Sequence, residues 1–171
     1  MTETAVVQEF AHFVGQVMPV PELERIAASA QAAGRRLVVG ALITDATGRI
    51  FVQRRMPNRV LFPGSWDVVG GHDDDNEGVL GALAREIFEE TGWELAEIHE
   101  VVAVLDWEVE TGPRREVDVV VKVRGDLSNP QLEWDKHDLF RWVEAEDVPA
   151  LRVPGSDDFV INLLNTAFSF R

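Results

Sequence analysis

The chain has 171 residues, enough for one domain with a proper core and short of two. Its formal net charge of −14 repels nucleic acid polymers and anionic membrane at long range, so a small ligand is expected and a polymer is not. It contains no cysteine, which excludes disulfides, thiolate nucleophiles and Cys-held iron–sulfur or zinc centres.

No apolar run approaches the roughly 20 residues that span a bilayer, so no membrane association is expected. Met1 to Glu9 carry acids and no Lys or Arg, unlike a secretory leader, so a cytoplasmic location is expected. Residues 1–34 read as an N-terminal helical extension. Pro21 suits a first helical turn, Leu23, Ile26 and Ala27 give an apolar stripe, and Gly34 stops it. This segment is a candidate to cap the main domain or to pack on a second copy in a homodimer. Residues 35–171 read as the main domain.

Leu37 to Thr44 is a buried strand, Asp45-Ala46-Thr47-Gly48 a turn, and Arg49 to Arg55 a return strand. Met56 to Ser65, with Pro57, Pro63 and Gly64, is a loop. Trp66 to Val69 is a short strand that runs into Gly70-Gly71. A helix follows from Gly78 to Thr91, closed by Gly92. Ile98 to Glu110 and Arg115 to Arg124 form a hairpin, Asp126 to Asp138 a polar loop, Leu139 to Val143 a last strand and Val160 to Phe168 a closing helix. Strands and helices alternate irregularly around one antiparallel hairpin, so one mixed sheet between helices is expected.

The chemistry concentrates on the Gly78–Thr91 helix. Glu86, Glu89 and Glu90 stand at i, i+3 and i+4, on one face, where like charges repel. Hard divalent cations relieve that conflict. Carboxylate oxygens suit magnesium or manganese, and magnesium shares its shell with substrate phosphates. Such an ion neutralises a pyrophosphate and activates water. Arg85 stays protonated and can grip Glu86 or Glu77 through its planar fork. Val79, Ala82, Leu83 and Ile87 supply the opposite, core-facing stripe. Gly70 and Gly71 permit a sharp backbone course before the helix, and a carbonyl there is a further candidate ligand.

Gly71, Glu77, Arg85, Glu86, Ile87, Glu89, Glu90, Gly92 and Trp93 fall at the spacing of the Nudix box, so the segment resembles that family. Leu37 to Thr44, Gln53-Arg54-Arg55 and Leu61 to Asp67 resemble the approach to the box in MutT-like members, and Phe140-Arg141-Trp142-Val143 a late strand of the same fold. The resemblance implies an α/β/α sandwich with a central mixed sheet. It implies a magnesium-dependent hydrolase (manganese being an alternative ion) that cleaves a phosphoanhydride bond of a nucleoside diphosphate derivative. Glu86, Glu89 and Glu90 then correspond to the metal-binding carboxylates, with the Gly70 carbonyl as a backbone ligand and Glu86 a candidate base. Glu77 and Gly71 correspond to supporting positions, and Arg85 to the orienting partner. The chain departs from many members in having Asp75-Asn76 rather than Pro-Gly before the first box acid; Asn tolerates the left-handed turn.

Arg54, Arg55 and Arg59 precede the box and are candidate phosphate contacts. Asp73, Asp74 and Asp75 read as a solvated loop, and His72 as a plain loop residue. Trp66 and Trp93 read as core; Trp107 and Trp134 are candidates to stack on a base if exposed. Glu133, Asp135, His137 and Asp138 are candidates for an auxiliary acid. Two other functions share the fold. Metal-dependent isopentenyl diphosphate isomerases use a cysteine that is absent here, and non-catalytic nucleotide-binding regulators usually lose box acids that are present here. By elimination nucleoside triphosphates are the expected substrate, with nucleotide sugars and dinucleoside polyphosphates open.

Overall fold

The computed structural model describes residues 20–75 and 77–170, together with the backbone of Val6–Val17. In chain order the elements are β1 (Val6–Val17), α1 (Val20–Ala32), β2 (Arg36–Ile43), β3 (Ile50–Arg55), β4 (Trp66–Asp67), β5 (Val69–His72), α2 (Gly78–Thr91), β6 (Glu94–Val109), β7 (Gly112–Arg124), β8 (His137–Val143) and α3 (Phe159–Ser169). A short 3-10 helix, Ala145–Leu151, precedes α3.

Five strands form one sheet in the order β1-β6-β7-β2-β5, and three form a second in the order β4-β3-β8. Among the described strands of this sheet only the β2–β7 pair is parallel, so the larger sheet is mixed, as expected. Strand β2 explains the layering. Leu37, Val39, Ala41 and Ile43 join one core with α1 and α2, while Val38 and Leu42 join another with α3. Alternate side chains of one strand therefore feed both faces, as in a sandwiched sheet. Helix α2 buries Val79, Ala82, Leu83 and Ile87 in the first core. Gly92 ends it at φ 75°, and its N–H donates to the Phe88 carbonyl at 2.8 Å.

Two expectations are corrected. Residues 1–34 are not helical throughout, because Val6–Val17 is a strand paired antiparallel with β6. That run holds β-branched and aromatic residues, which suit a pleated strand. The helix itself forms over Val20–Ala32, and its Leu23 and Ala30 are buried in the same core as α2. Strand β3 does not return along β2 beyond one bridge, Thr44 to Ile50. Both edges of β2 are taken by β5 and β7, so β3 crosses to the second sheet and pairs with β8.

Candidate active site

Strand β5 and helix α2 bring the site together. Arg85 lies at its centre. Its Nε donates to Glu77 Oε1 at 2.9 Å and its Nη2 to the same oxygen at 2.7 Å. Nη1 donates to Glu86 Oε1 at 2.8 Å and to Glu89 Oε2 at 3.1 Å, and Nη2 also reaches the His72 carbonyl at 2.7 Å. One planar fork thus locks three acids and the end of β5, which an ammonium point charge does not reproduce. The Arg85 bond holds the Glu77 carboxyl below its ordinary range.

Glu90 is held differently. It is 5% exposed, and its Oε2 accepts from Gln53 Nε2 at 2.7 Å and from the Gly70 N–H at 3.1 Å. Burial pushes its carboxyl up to about 8, with Glu86 and Asp67 adding repulsion. Burial also raises Glu86, partly offset by Arg85. Glu89 is on the same helix face but half exposed, and turned to Arg85.

Among the described residues no three acidic or imidazole side chains converge closely enough to hold an ion as they stand. Arg85 stands between Glu86 and Glu89. Other features fit a hard dication. Glu86 and Glu90 are desolvated acids facing one cavity, and cationic charge there offsets their repulsion. Gln53 Oε1 is buried beside them and accepts no hydrogen bond from any described residue. The Gly70 N–H faces Glu90 rather than β2, and in an extended strand its carbonyl points the same way. A Cβ on Gly71 would lie 2.2 Å from Glu86 Oε1, so only glycine lets this carboxyl lie against the strand.

The cavity, of about 460 Å³, is lined by Gly70, Glu86, Glu89 and Glu90 together with Arg36, Arg55, Arg59, Arg85 and Lys136. Arg59 Nε is buried without an acceptor among the described residues. Arg55 Nε donates to the Leu61 carbonyl at 2.9 Å. Arg54 is not brought to the cavity: Asp138 grips it twice, at 2.8 and 2.6 Å. Of the late-loop candidates, Glu133 pairs with Lys136 at 2.7 Å and Asp135 is exposed. His137 lines the cavity, held to about 4 by burial and by Arg55, Arg59 and Lys136. His72 is no plain loop residue. Burial keeps it neutral, near 4, and its Nε2 accepts from Arg114 Nε at 3.0 Å. Trp93 is core as expected, whereas Trp66 and Trp107 line the cavity and Trp134 is 61% exposed away from it. Asp75 takes φ 49° in the acidic loop, and the expectation for Asn76 lies outside the described residues.

Gln53 and Lys136 were not singled out by the sequence pattern. A Gln directly after the apolar run Ile50-Phe51-Val52 was the available signal for the first; none marked the second. A further acidic set, Asp67, Glu116 and Asp118, was also missed. Glu116 and Asp118 alternate with Val117 and Val119 on β7, a pattern that reads as a solvent face, but here Glu116 lines the cavity and Asp118 is fully buried against Gly40.

The sequence profile described as NUDIX domain matches residues 34–163. The chain is 30% identical over 139 residues to the RNA pyrophosphohydrolase of Novosphingobium aromaticivorans, covering 70% of this chain and 83% of that one. A MutT Nudix hydrolase structure from Burkholderia pseudomallei is similar at 29% identity and a TM-score of 0.57, over 77% of this chain and 97% of the other. A diadenosine tetraphosphate (Ap4A) hydrolase from C. elegans shares the fold, with 23% identity and a TM-score of 0.59 over 79% and 96% of the two chains.

Proposed function

The chain belongs to the Nudix family of hydrolases, which cleave pyrophosphate bonds of nucleotide derivatives, and on that footing we propose that it is a magnesium-dependent pyrophosphohydrolase of nucleoside triphosphates. The observation that carries this reading is the pairing of two desolvated acids, Glu86 and Glu90, with an arginine that fixes one of them, on the wall of a cation-lined cavity. We take residues 35–171 as the hydrolase unit and 1–34 as an appended element.

Glu86, Glu90 and the Gly70 carbonyl would hold the ion, and Glu89, paired with Arg85 here, would be the further carboxylate on the same helix face. A bound dication neutralises phosphate oxygens and makes water a competent nucleophile near neutral pH. The protein's own groups do the rest. Arg59, with a free Nε–H, Lys136 and Arg55 take the phosphate oxygens and orient the chain of phosphorus atoms. Glu86 accepts the proton of the attacking water, its position fixed by Arg85 Nη1. Arg85 in turn is fixed by Glu77, which keeps the charged fork in place through the cycle.

The test is release of phosphate or pyrophosphate from a panel of nucleoside triphosphates, nucleotide sugars and dinucleoside polyphosphates with magnesium. The panel includes a 5′-triphosphorylated RNA because of the relative from Novosphingobium. We expect turnover of triphosphates, abolished by chelator and reduced by 10²-fold or more, on the order expected for a lost catalytic group, in Glu86→Gln. Metal-independent turnover, or full activity in that variant, refutes the reading.

A further inference from the structure

The helix that carries the box acids begins without a cap of its own. A helix leaves its first N–H groups unpaired, and a side chain just before it ordinarily accepts one of them. Glu77 immediately precedes α2 but makes no such bond. Its Oε1 is taken by Arg85 and by the Asp74 N–H at 3.0 Å. Gly78 follows at φ 79° and has no side chain to offer. The acid that anchors Arg85 is thus withdrawn from capping by that duty.

Another acid, 56 positions before Leu80, stands in its place. Glu24 Oε1, on α1, accepts from the Leu80 N–H at 3.4 Å, a long bond whose attraction is chiefly that of a carboxylate for the positive end of a helix. A Cβ on Gly78 would fall 2.5 Å from Glu24 Oε2 and 3.2 Å from its Cδ, so the carboxylate lies against the backbone of the first turn, and glycine at 78 admits it. The approach is fixed by packing. Leu23, the preceding residue, is 1% exposed and shares one core with Val79, Ala82 and Leu83 of α2.

We propose that Glu24 is a positioning residue for the hydrolytic site, acting through the first turn of α2 on the chain Glu77–Arg85–Glu86. The Glu77 backbone leads directly into that turn, and its carboxylate holds two nitrogens of Arg85. Arg85 in turn holds Glu86 at 2.8 Å and Glu89 at 3.1 Å. When the turn frays, Glu77 moves with it and Arg85 loses its anchor. Helix α1 therefore supports the box although none of its described residues lines the cavity where the acids meet. Only the kinetic consequence rests on the hydrolase reading above.

Hydrogen exchange followed by NMR on the metal-free protein tests the link without any turnover. Glu24→Ala is expected to speed exchange at the amides of residues 80–82 and at the Arg85 Nε–H about fivefold, the shift that accompanies a lost helix cap. With saturating magnesium, kcat is expected to fall roughly two- to fivefold while KM for a triphosphate holds, since Arg55, Arg59 and Lys136 lie outside α1 and α2. Glu24→Gln keeps the oxygen acceptor and loses the charge, so about a twofold change is expected, and it serves should the alanine variant fail to fold. Gly78→Ala, whose methyl displaces the carboxylate, is expected to reproduce Glu24→Ala. Glu22→Ala, which removes an acid paired with Arg25 on the same helix, is expected to leave exchange and kcat unchanged. Faster exchange confined to residues 80–82, with Arg85 and kcat as in wild type, overturns the proposal. So does wild-type behaviour of Glu24→Ala throughout, and the hydrolase then stands. The full exchange pattern without hydrolysis of any nucleotide keeps the link to Arg85 and overturns the hydrolase.

Discussion

Glu90→Gln is expected to make the metal-free protein more stable while it removes activity. The substitution keeps the shape of the side chain, and its amide oxygen accepts the same hydrogen bonds from Gln53 and the Gly70 N–H. What it removes is a carboxyl whose pKa rises from 4.5 in the unfolded chain to about 8 in the fold, chiefly through burial. An acid raised in this way binds more protons folded than unfolded, so its stability contribution is lost as pH climbs from 4.5 toward 8. At pH 7 the unfolded carboxyl is ionised and the folded one is mostly protonated. The cost of taking up that proton is about 1.4 kcal/mol per pH unit above 4.5, or roughly 3 kcal/mol. The variant escapes this cost. For a chain of this size that is roughly 6–12 °C in Tm. Urea unfolding followed by tryptophan fluorescence in chelator, at pH 5 and pH 7, measures it. The gap between variant and wild type is small at pH 5 and opens by pH 7. Saturating magnesium then narrows it, because the wild-type site alone gains the ion's charge. A variant less stable than wild type at pH 7 without metal, or a gap that is the same at both pH values, refutes the reasoning.

Gly71→Ala places a methyl 2.2 Å from Glu86 Oε1, so the carboxyl must move; the magnesium concentration for half-maximal rate is expected to rise on the order of tenfold. Arg59→Ala is expected to raise KM by about tenfold with less effect on kcat, whereas Arg54→Ala, whose guanidinium Asp138 already occupies, changes KM less than about threefold. Steady-state kinetics on one triphosphate decide both. Phe51→Ala removes a fully buried ring that meets Trp93 at 5.1 Å, Trp142 at 5.4 Å and Phe140 at 5.7 Å. It is expected to cost about 3–5 kcal/mol in urea unfolding, and near-wild-type stability would mean these rings do not form one cluster.

Helix α2 was legible because every signal for it is local. Val79, Ala82, Leu83 and Ile87 set its buried stripe, Gly92 sets its end, and Arg85 reaches its acids along one helix face. The same holds for the β6–β7 hairpin, whose turn joins Val109 to Gly112. Long-range relations were not legible. Nothing local in Ile50–Arg55 says that it pairs with β8 in a second sheet. Nothing in Gln53 says that it will meet an acid 37 positions later. The 3-10 helix at Ala145–Leu151 was missed although Glu144 and Asp147 form a capping box, because Pro149 breaks the helical pattern. Most consequential was β7. Period-two alternation reports that Glu116 and Asp118 share a face, but the pattern is identical whether that face meets bulk water or a closed cavity.

That distinction also explains how so acidic a chain accommodates a polyanion. With a net charge of −14, most carboxylates lie on outer surfaces, where salt screens them beyond about 8 Å. Inside the cavity the balance is set by near neighbours. Arg36, Arg55, Arg59 and Lys136 line the region where phosphates would lie, and Arg85 cancels part of the box charge. Burial holds Glu90 and Asp118 toward their neutral forms until something compensates them. At Glu90 the compensation we propose is a bound cation.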